Sequence, residues 1–193
     1  RIARAVRDHV PHANRPTVFR QMATLLLLTY ALRNADCHAK NVALLYTSHD
    51  DVKLAPAYDM ITTAAYPEYA RNPPGISFMG KKTWDPGKNL QTFITATFGL
   101  PAREQAEIVD QIGTAMAEVG PQVRAAMAEH PGFVEIGKRM LLSWQEGLAG
   151  LRDKRTYAMG AAELGEAFTN FSDPKPVKPE RQIIGRSDLL GRH

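Results

Sequence analysis

The chain has 193 residues, of which 44% are hydrophobic and 23% are charged, so it can close a hydrophobic core as one domain. Its single cysteine excludes an internal disulfide and therefore a disulfide-stapled secreted module, which favours a reducing, cytoplasmic location. The longest strongly apolar stretch, Leu25 to Leu32, is far shorter than the roughly 20 residues that cross a bilayer. No segment has the layout of a signal peptide, so we expect no membrane partner.

The formal net charge of +4 is concentrated at the amino-terminal end of the chain. Five arginines and one acid, Asp8, precede residue 21, and this excess accounts for the whole net charge. A local basic arm is typical of a solvated helix face or of a patch for an acidic partner. The charge distribution therefore does not favour direct nucleic-acid binding.

The first third of the chain predicts a buried helix followed by a hairpin. After Pro16, apolar residues recur at near-helical spacing on nearly all sides, which is typical of a buried helix, and Asn34 ends the pattern. A polar loop to Asn41 then precedes two β-rich runs, VALLY and VKLAP. The residues between these runs predict a tight turn near Ser48–Asp51.

The rest of the chain predicts irregular structure and then helices. Prolines and glycines from Asp59 to Gly87 indicate a loop region with room for one short strand, 76–79. Prolines and glycines then punctuate four predicted helices, at 89–98, 101–119, 121–130 and 133–155. Residues 172–193 are rich in proline and lack a period, which predicts an extended or disordered tail after a domain of residues 1–171. The predicted fold class is mainly α with a small β-hairpin.

The motif N-A-D-C-H-A-K-N, residues 34–41, places Asp36 and Asn41 five residues apart. Protein kinases have a catalytic aspartate and a metal-binding asparagine at this spacing, in the loop H-R-D-L-x-x-x-N. The aspartate orients the attacking hydroxyl, while the asparagine amide oxygen holds magnesium on the nucleotide phosphates. By itself the pair is a weak signal, because aspartate and asparagine are common in turns.

A second aspartate, Asp59, follows the predicted hairpin 18 residues after Asn41. The order of loop, hairpin and aspartate is the order in which kinase-like folds assemble a two-ligand magnesium site, and both side chains offer the oxygen ligands that this hard cation prefers. Met60 and Ile61 stand where ordinary kinases have phenylalanine and glycine. The residues therefore predict a kinase-like phosphotransferase that is not of the ordinary eukaryotic type.

The segments N-A-D-C-H-A-K-N-V-A-L-L (34–45) and L-A-P-A-Y-D-M (54–60) resemble the C-terminal region of HipA-type serine/threonine kinases, the toxins of bacterial toxin–antitoxin modules. The segment Ser77–Lys81 resembles the glycine-bearing piece that follows in that family. The resemblance implies a protein-kinase-like C-lobe, ATP and Mg²⁺ as co-substrates, and transfer to a protein serine, in that family on an aminoacyl-tRNA synthetase. It also implies an antitoxin partner with a DNA-binding helix-turn-helix.

The same resemblance implies roles for individual residues. Asp36 would be the catalytic aspartate, and Asn41 and Asp59 would hold the metal and the nucleotide. His38 and Lys40 lie inside the motif, and we assign them to positioning the γ-phosphate or the acceptor. The sequence departs from the family pattern before the motif, since Arg33 stands where the family usually has glycine.

Only 33 residues precede Asn34, too few for the glycine-rich loop and the lysine of a kinase N-lobe. Since the chain also begins at Arg1 within a helical pattern, we expect a C-lobe whose N-lobe was removed or is a separate chain. One alternative is a non-catalytic interaction module that binds an antitoxin or a target. A second is a small-molecule kinase of the aminoglycoside or choline type, although such kinases usually have His-Gly where this chain has Asn34 and Ala35.

Three further patterns resemble functional motifs but do not meet their chemical requirements. The segment Gly75–Thr83 nearly matches the phosphate-binding motif G-x-x-x-x-G-K-[ST], but Lys82 occupies the position of the serine or threonine. Cys37 and His38 lack a second ligand pair at zinc spacing. Ser48–Asp50 reads Ser-His-Asp, but neighbours in a tight turn cannot align as a catalytic triad.

Overall fold

The computed structural model describes residues 2–48, 50–77, 80–84 and 87–152. Within these residues the chain forms five α-helices and one two-stranded antiparallel sheet, which confirms the predicted class, mainly α with a small hairpin. The elements are α1 (Ile2–His9), α2 (Arg15–Leu32), β1 (Leu44–Tyr46), β2 (Val52–Leu54), α3 (Gly87–Phe98), α4 (Ala102–Glu129) and α5 (Val134–Arg152). The predicted tail, 172–193, and the predicted domain end at 171 lie outside the described residues.

Helix α2 lies at the centre of the fold, because its sequence is apolar on nearly every side and must be covered on every side. Pro16 lies in its first turn, where the missing N–H would have had no helical partner. α2 packs against α4 and α5, and α4 also packs against α5. We call these three helices the helical scaffold. Six of its large apolar side chains are less than 2% exposed: Met22, Leu27, Ile108, Leu141, Leu148 and Leu151.

A polar side chain fixes the corner between α3 and α4. α3 ends as predicted at Phe98, and Gly99 follows with a φ of 69°, a left-handed conformation that glycine adopts without steric cost. The side chain of Gln105 is fully buried, and its Nε2 donates to Thr95 Oγ1 at 2.9 Å and to the Leu100 carbonyl at 2.8 Å. Since the Thr95 hydroxyl also donates to the Leu100 carbonyl at 3.1 Å, these bonds join α3, the turn and α4 in one network.

The prediction of two helices, 101–119 and 121–130, is wrong, because α4 runs through Pro121 without a break. Proline inside a helix removes one hydrogen bond, and its ring disfavours helical backbone in the preceding residue through contact with the Cβ of that residue. The preceding residue here is Gly120, which has no Cβ. Met116 and Val123 are buried on either side of the proline, so core packing holds both halves in one helix.

Helix α5 begins at Val134, one residue after the predicted start, and follows a 3-10 turn at Pro131–Phe133. It approaches the last turn of α2 closely at Gly147, where an added Cβ would overlap the Ala31 carbonyl oxygen and lie 2.7 Å from that of Tyr30. The absence of a side chain at Gly147 therefore permits direct contact between the two helices. The predicted extension of α5 to Arg155 lies beyond the described residues.

The predicted hairpin is confirmed. β1 and β2 pair with Leu44 opposite Leu54 and Tyr46 opposite Val52, and the Thr47 N–H closes the turn by donating to the Asp51 carbonyl at 3.1 Å. The side chain of Val52 enters the hydrophobic core. The hairpin therefore places the chain before β1 and the chain after β2 side by side.

The described residues between Asp59 and α3 form no helix or strand, as predicted, apart from a 3-10 turn at Thr63–Ala65. Residues 76 and 77 are not in a strand, and residues 78 and 79 of the proposed short strand lie outside the described residues. None of the helices in the described part of the chain is long and apolar enough to span a bilayer.

Candidate functional site

The end of α2 sets the direction of the following segment, residues 34–41, which we call the site loop. Arg33 adopts a left-handed conformation, with φ 54° and ψ 48°, and its N–H donates to the Tyr30 carbonyl at 3.1 Å. The N–H of Asn34 donates to the Thr29 carbonyl at 3.0 Å. These two bonds form a Schellman motif, which ends a helix and reverses the chain. A glycine at position 33 would adopt this conformation more easily.

Asn34 is the buried residue that organises the site loop. Its side chain is fully buried, and its Oδ1 accepts from the Asp36 N–H at 3.0 Å. Its Nδ2 donates to the Asp59 carbonyl at 3.1 Å. One side chain therefore fixes the backbone at both aspartates that the sequence singled out.

The structure brings Asn41 and Asp59 together. Asn41 is buried at 6% exposure, and its Nδ2 donates to Asp59 Oδ2 at 2.6 Å, while its Oδ1 accepts from the His38 N–H at 3.2 Å. Asp59 is exposed and has a φ of 56°, which non-glycine residues adopt mainly where surrounding contacts enforce it. The bonds from Asn34 and Asn41 supply those contacts.

The chemistry of this pair fits a hard divalent cation. The carboxylate of Asp59 and the amide oxygen of Asn41 are ligand types that Mg²⁺ prefers. The amide oxygen accepts one hydrogen bond from the loop and retains a second lone pair. Within the described residues no three His, Cys, Asp or Glu side chains gather as a metal site. A cation here would therefore depend on this pair together with waters or substrate phosphates, which Mg²⁺ commonly retains as ligands.

Asp36 lies at the protein surface beside the pair. Its side chain is 58% exposed, and its Oδ1 lies 3.8 Å from His38 Nε2. It lines a cavity of about 540 Å³ together with Ile61, Tyr66 and Tyr69. Asn41 instead lines a cavity of about 390 Å³ between α2 and the hairpin. Asp36 and Asn41 therefore line different cavities in this arrangement, because the loop turns between them.

The other two predicted residues, His38 and Lys40, differ in their surroundings. His38 Nδ1 is buried and has no hydrogen-bond partner within the described part of the chain, whereas the ring as a whole is 45% exposed. The side chain of Lys40 is exposed, and its carbonyl accepts from the Tyr58 hydroxyl at 2.5 Å. The structure thus places both residues on the site loop, where His38 contacts Asn41 through its backbone N–H and the Lys40 side chain makes no hydrogen bond to the Asn41–Asp59 pair.

Several residues that support the site were not singled out from the sequence. Thr63 Oγ1 accepts from the Ala35 N–H at 2.7 Å and donates to the Arg33 carbonyl at 3.0 Å. An added Cβ at Gly75 would overlap the Cys37 carbonyl and lie 2.8 Å from that of Ala35. A lone threonine and a loop glycine carry no local signal for such contacts, since their partners are 28 or more residues away. Asn34, by contrast, lies within the quoted motif.

The residues of the three rejected motifs contribute to the fold. Cys37 is buried, and burial raises the pKa of its thiol, which favours the uncharged form over a reactive thiolate. Gly75 of the phosphate-loop-like segment packs against the site loop. The Thr83 carbonyl accepts from the Tyr30 hydroxyl at 2.9 Å. The turn that contains Ser48 and Asp50 joins the two strands, and His49 lies outside the described residues.

Arg33 connects the site loop to two other parts of the fold. Its guanidinium forms an ion pair with Glu146 of α5 and lies 5.7 Å from the centroid of the Trp84 ring. Trp84 also packs edge-on against Tyr30 at 5.4 Å, and its Nε1 donates to the Asn72 carbonyl at 2.7 Å. The arginine that departs from the family pattern therefore has contacts that a glycine could not make.

A comparison with known protein families gives one match. The family described as HipA-like C-terminal domain matches residues 1–119, more than half of the chain. The chain belongs to the HipA-like C-terminal domain family. The match includes the site loop, the hairpin and Asp59, whereas α5 lies beyond it. No curated protein and no solved structure matches this HipA-like chain.

Proposed function

We propose that this HipA-like chain is the kinase-like C-lobe of a serine/threonine protein kinase, which transfers the γ-phosphoryl group of ATP to a protein serine. The observation that carries the proposal is the 2.6 Å contact between Asn41 and Asp59, two residues that are 18 positions apart in the sequence. Kinase-like folds use an asparagine and an aspartate in this order for the metal. Membership of the HipA-like family supports the same conclusion.

Each site residue has a distinct role in this proposal. Asn41 and Asp59 would hold Mg²⁺, which neutralises charge on the nucleotide phosphates when it is bound. Asp36, exposed beside a cavity, orients the acceptor serine and accepts its proton. Asn34 keeps the backbone of Asp36 and Asp59 in place, so the two carboxylates are positioned before any substrate binds.

His38 and Lys40 position the γ-phosphate or the acceptor in this proposal. Lys40 is exposed and free to reach an anionic group, as a lysine in a phosphate-transfer site does. His38 Nε2 lies 3.8 Å from Asp36 Oδ1, within range to interact with the carboxylate that receives the proton. The acceptor that the family resemblance favours is a serine of an aminoacyl-tRNA synthetase, and the proposed partner is an antitoxin with a helix-turn-helix.

The matched variants Asp36→Asn and Asp50→Asn test this proposal in the full protein. Asp36→Asn should lower phosphoryl transfer to a serine acceptor by about 10²–10⁴-fold, because it removes the proton acceptor without a change of shape. Asp50 is exposed in the hairpin turn, so Asp50→Asn should leave transfer unchanged. Asp59→Asn should weaken the affinity for an ATP analogue in the presence of Mg²⁺. Transfer at the normal rate by Asp36→Asn would overturn the assignment.

A second candidate function, a non-catalytic binding module, has one observation in its favour. Leu45 and Tyr46 of β1 are 50% and 58% exposed, and because successive strand residues point to opposite faces, each face of the hairpin presents one large side chain to a partner protein. The nucleotide measurement separates the two functions. Magnesium-dependent binding of the ATP analogue that Asp59→Asn weakens supports the kinase. Binding to a partner protein with no magnesium-dependent nucleotide binding supports the module.

A further inference from the structure

The cavity next to Asp36 has the size and position of a binding site for the acceptor. Its volume is about 540 Å³, within the range of roughly 300–1,000 Å³ of pockets that bury a drug-sized ligand. The irregular segment 61–72 forms one wall, and the site loop forms the other. Asp36 opens directly into this cavity, so whatever fills the cavity lies against the proposed proton acceptor.

The walls of the cavity are aromatic and exposed. Seven large hydrophobic side chains of the described residues are exposed, and three of them, Ile61, Tyr66 and Tyr69, line this cavity. The exposure of each is between 41% and 49%. A cluster of half-exposed apolar rings beside a polar site is typical of a surface that a ligand covers.

The charged groups of the cavity are all negative. Asp36 and Glu68 line it, and no lysine, arginine or histidine among the described residues does so. Glu68 is exposed, and none of the salt bridges in the described part of the chain involves it. This charge disfavours a phosphate or another anion and attracts a cation.

We propose that this cavity binds a serine-bearing peptide segment with an arginine close to the serine, and that Glu68 is the residue that selects the arginine. The inference rests on the proposed phosphoryl transfer, because it takes Asp36 as the group that meets the serine hydroxyl. A guanidinium fits both features of the cavity, since it pairs with a carboxylate through two parallel hydrogen bonds and stacks on aromatic rings. Tyr66 and Tyr69 supply the rings, and Glu68 supplies the carboxylate.

The size of the effect follows from the exposure of these groups. A solvent-accessible ion pair contributes up to about fivefold in affinity, and an exposed cation–π contact adds about two- to fivefold. Glu68 therefore changes the preference for arginine over alanine and leaves the affinity for an uncharged peptide nearly unchanged. A residue with only a structural role would change the affinity for both peptides alike.

The test measures binding of short fluorescent peptides to the full protein without nucleotide. Each peptide has one serine, and arginine, alanine or glutamate is placed in turn at each flanking position. The arginine peptide should bind more tightly than the alanine peptide at one or more positions. Glu68→Gln should lower this preference by up to about fivefold. Tyr69→Leu should lower it about two- to fivefold, and Glu68→Lys should reverse it in favour of the glutamate peptide.

The control is Glu118→Gln, which removes the same charge from an exposed position on α4 and should leave the preference unchanged. Equal binding of arginine and alanine peptides at every position would overturn the inference, as would a preference for arginine that Glu68→Gln leaves undiminished. The readout does not require phosphoryl transfer. Normal transfer by Asp36→Asn would overturn the role of Asp36 and leave the charge preference intact, whereas an absent charge preference would overturn only the role of Glu68.

Discussion

The helical scaffold and the site loop are held by different forces. In the scaffold, large apolar side chains such as Leu27, Leu141 and Leu148 are completely buried, and burial of each stabilises the fold by about 1.5–3 kcal/mol. In the site loop, the buried side chains of Asn34 and Asn41 are polar, and each makes hydrogen bonds to the segment around Asp59 or within the loop. The conformation of the scaffold is therefore determined by the packing of apolar side chains. That of the site loop is determined by specific hydrogen bonds.

This difference predicts different responses to mutation. Apolar side chains of similar volume can replace one another in a hydrophobic core, so the scaffold tolerates substitutions that preserve volume. A buried amide that donates and accepts in one geometry has no close substitute, because a lost partner leaves a buried polar group unsatisfied. Changes in the scaffold should lower stability, and changes in the loop should also lower activity.

The largest loss of stability is expected at the contact between α5 and α2. Gly147→Ala places a Cβ against the carbonyl oxygens of Ala31 and Tyr30, which are backbone atoms and cannot turn aside. It should lower the free energy of unfolding by about 3 kcal/mol, measured by urea denaturation. Gly132→Ala is the control, since a Cβ at Gly132 meets nothing within 4 Å. Equal stability of the two variants would contradict the close approach of α5 to α2.

A smaller loss of stability, with a larger functional consequence, is expected at Asn34. Asn34→Ala removes the acceptor of the Asp36 N–H and the donor to the Asp59 carbonyl, so it should cost about 2 kcal/mol. Hydrogen exchange at the Asp36 amide should become faster, and phosphoryl transfer should fall. Asn89→Ala on the exposed surface of α3 should change the stability by no more than about 0.5 kcal/mol. Unchanged exchange at Asp36 would show that Asn34 does not organise the loop.

The smallest effect is expected at Arg33, where the scaffold meets the site loop. Arg33→Gly relieves the left-handed backbone but loses the contacts with Glu146 and Trp84, so opposing terms of about 1 kcal/mol each should nearly cancel. Arg33→Ala loses the same contacts and keeps the unfavourable backbone. Urea denaturation should find the alanine variant less stable than the glycine variant by about 1 kcal/mol. The reverse order would contradict the left-handed conformation.

The elements that were predicted correctly are those with a local cause. α2 follows from its apolar pattern after Pro16, the end of α3 from Gly99, and the hairpin from two β-rich runs around a polar turn. The helix that was predicted wrongly, α4, contains a proline whose local effect is opposed by Gly120 and by packing on both sides. The core contacts that keep α4 continuous in spite of Pro121 involve residues that are distant in the sequence.

The candidate site shows the same division. The motif spacing predicted that Asn41 and Asp59 would lie close together, and the structure places them in contact. It did not predict that Asp36 would line a cavity of its own, because the direction of a side chain depends on the turn of the loop. Thr63 and Gly75 were missed for a related reason, since both contact the site loop from distant positions.

The sequence by itself determined the apolar helices, the hairpin and the residue types of the site, because periodicity, turn residues and ligand chemistry are local properties. Only the tertiary structure decided that α4 continues through Pro121, that Arg33 lies between Glu146 and Trp84, and that Glu68 joins Asp36 in one cavity. These features arise when segments that are distant in the sequence pack against each other. Burial then fixes which partners are within reach, and no local pattern encodes that choice.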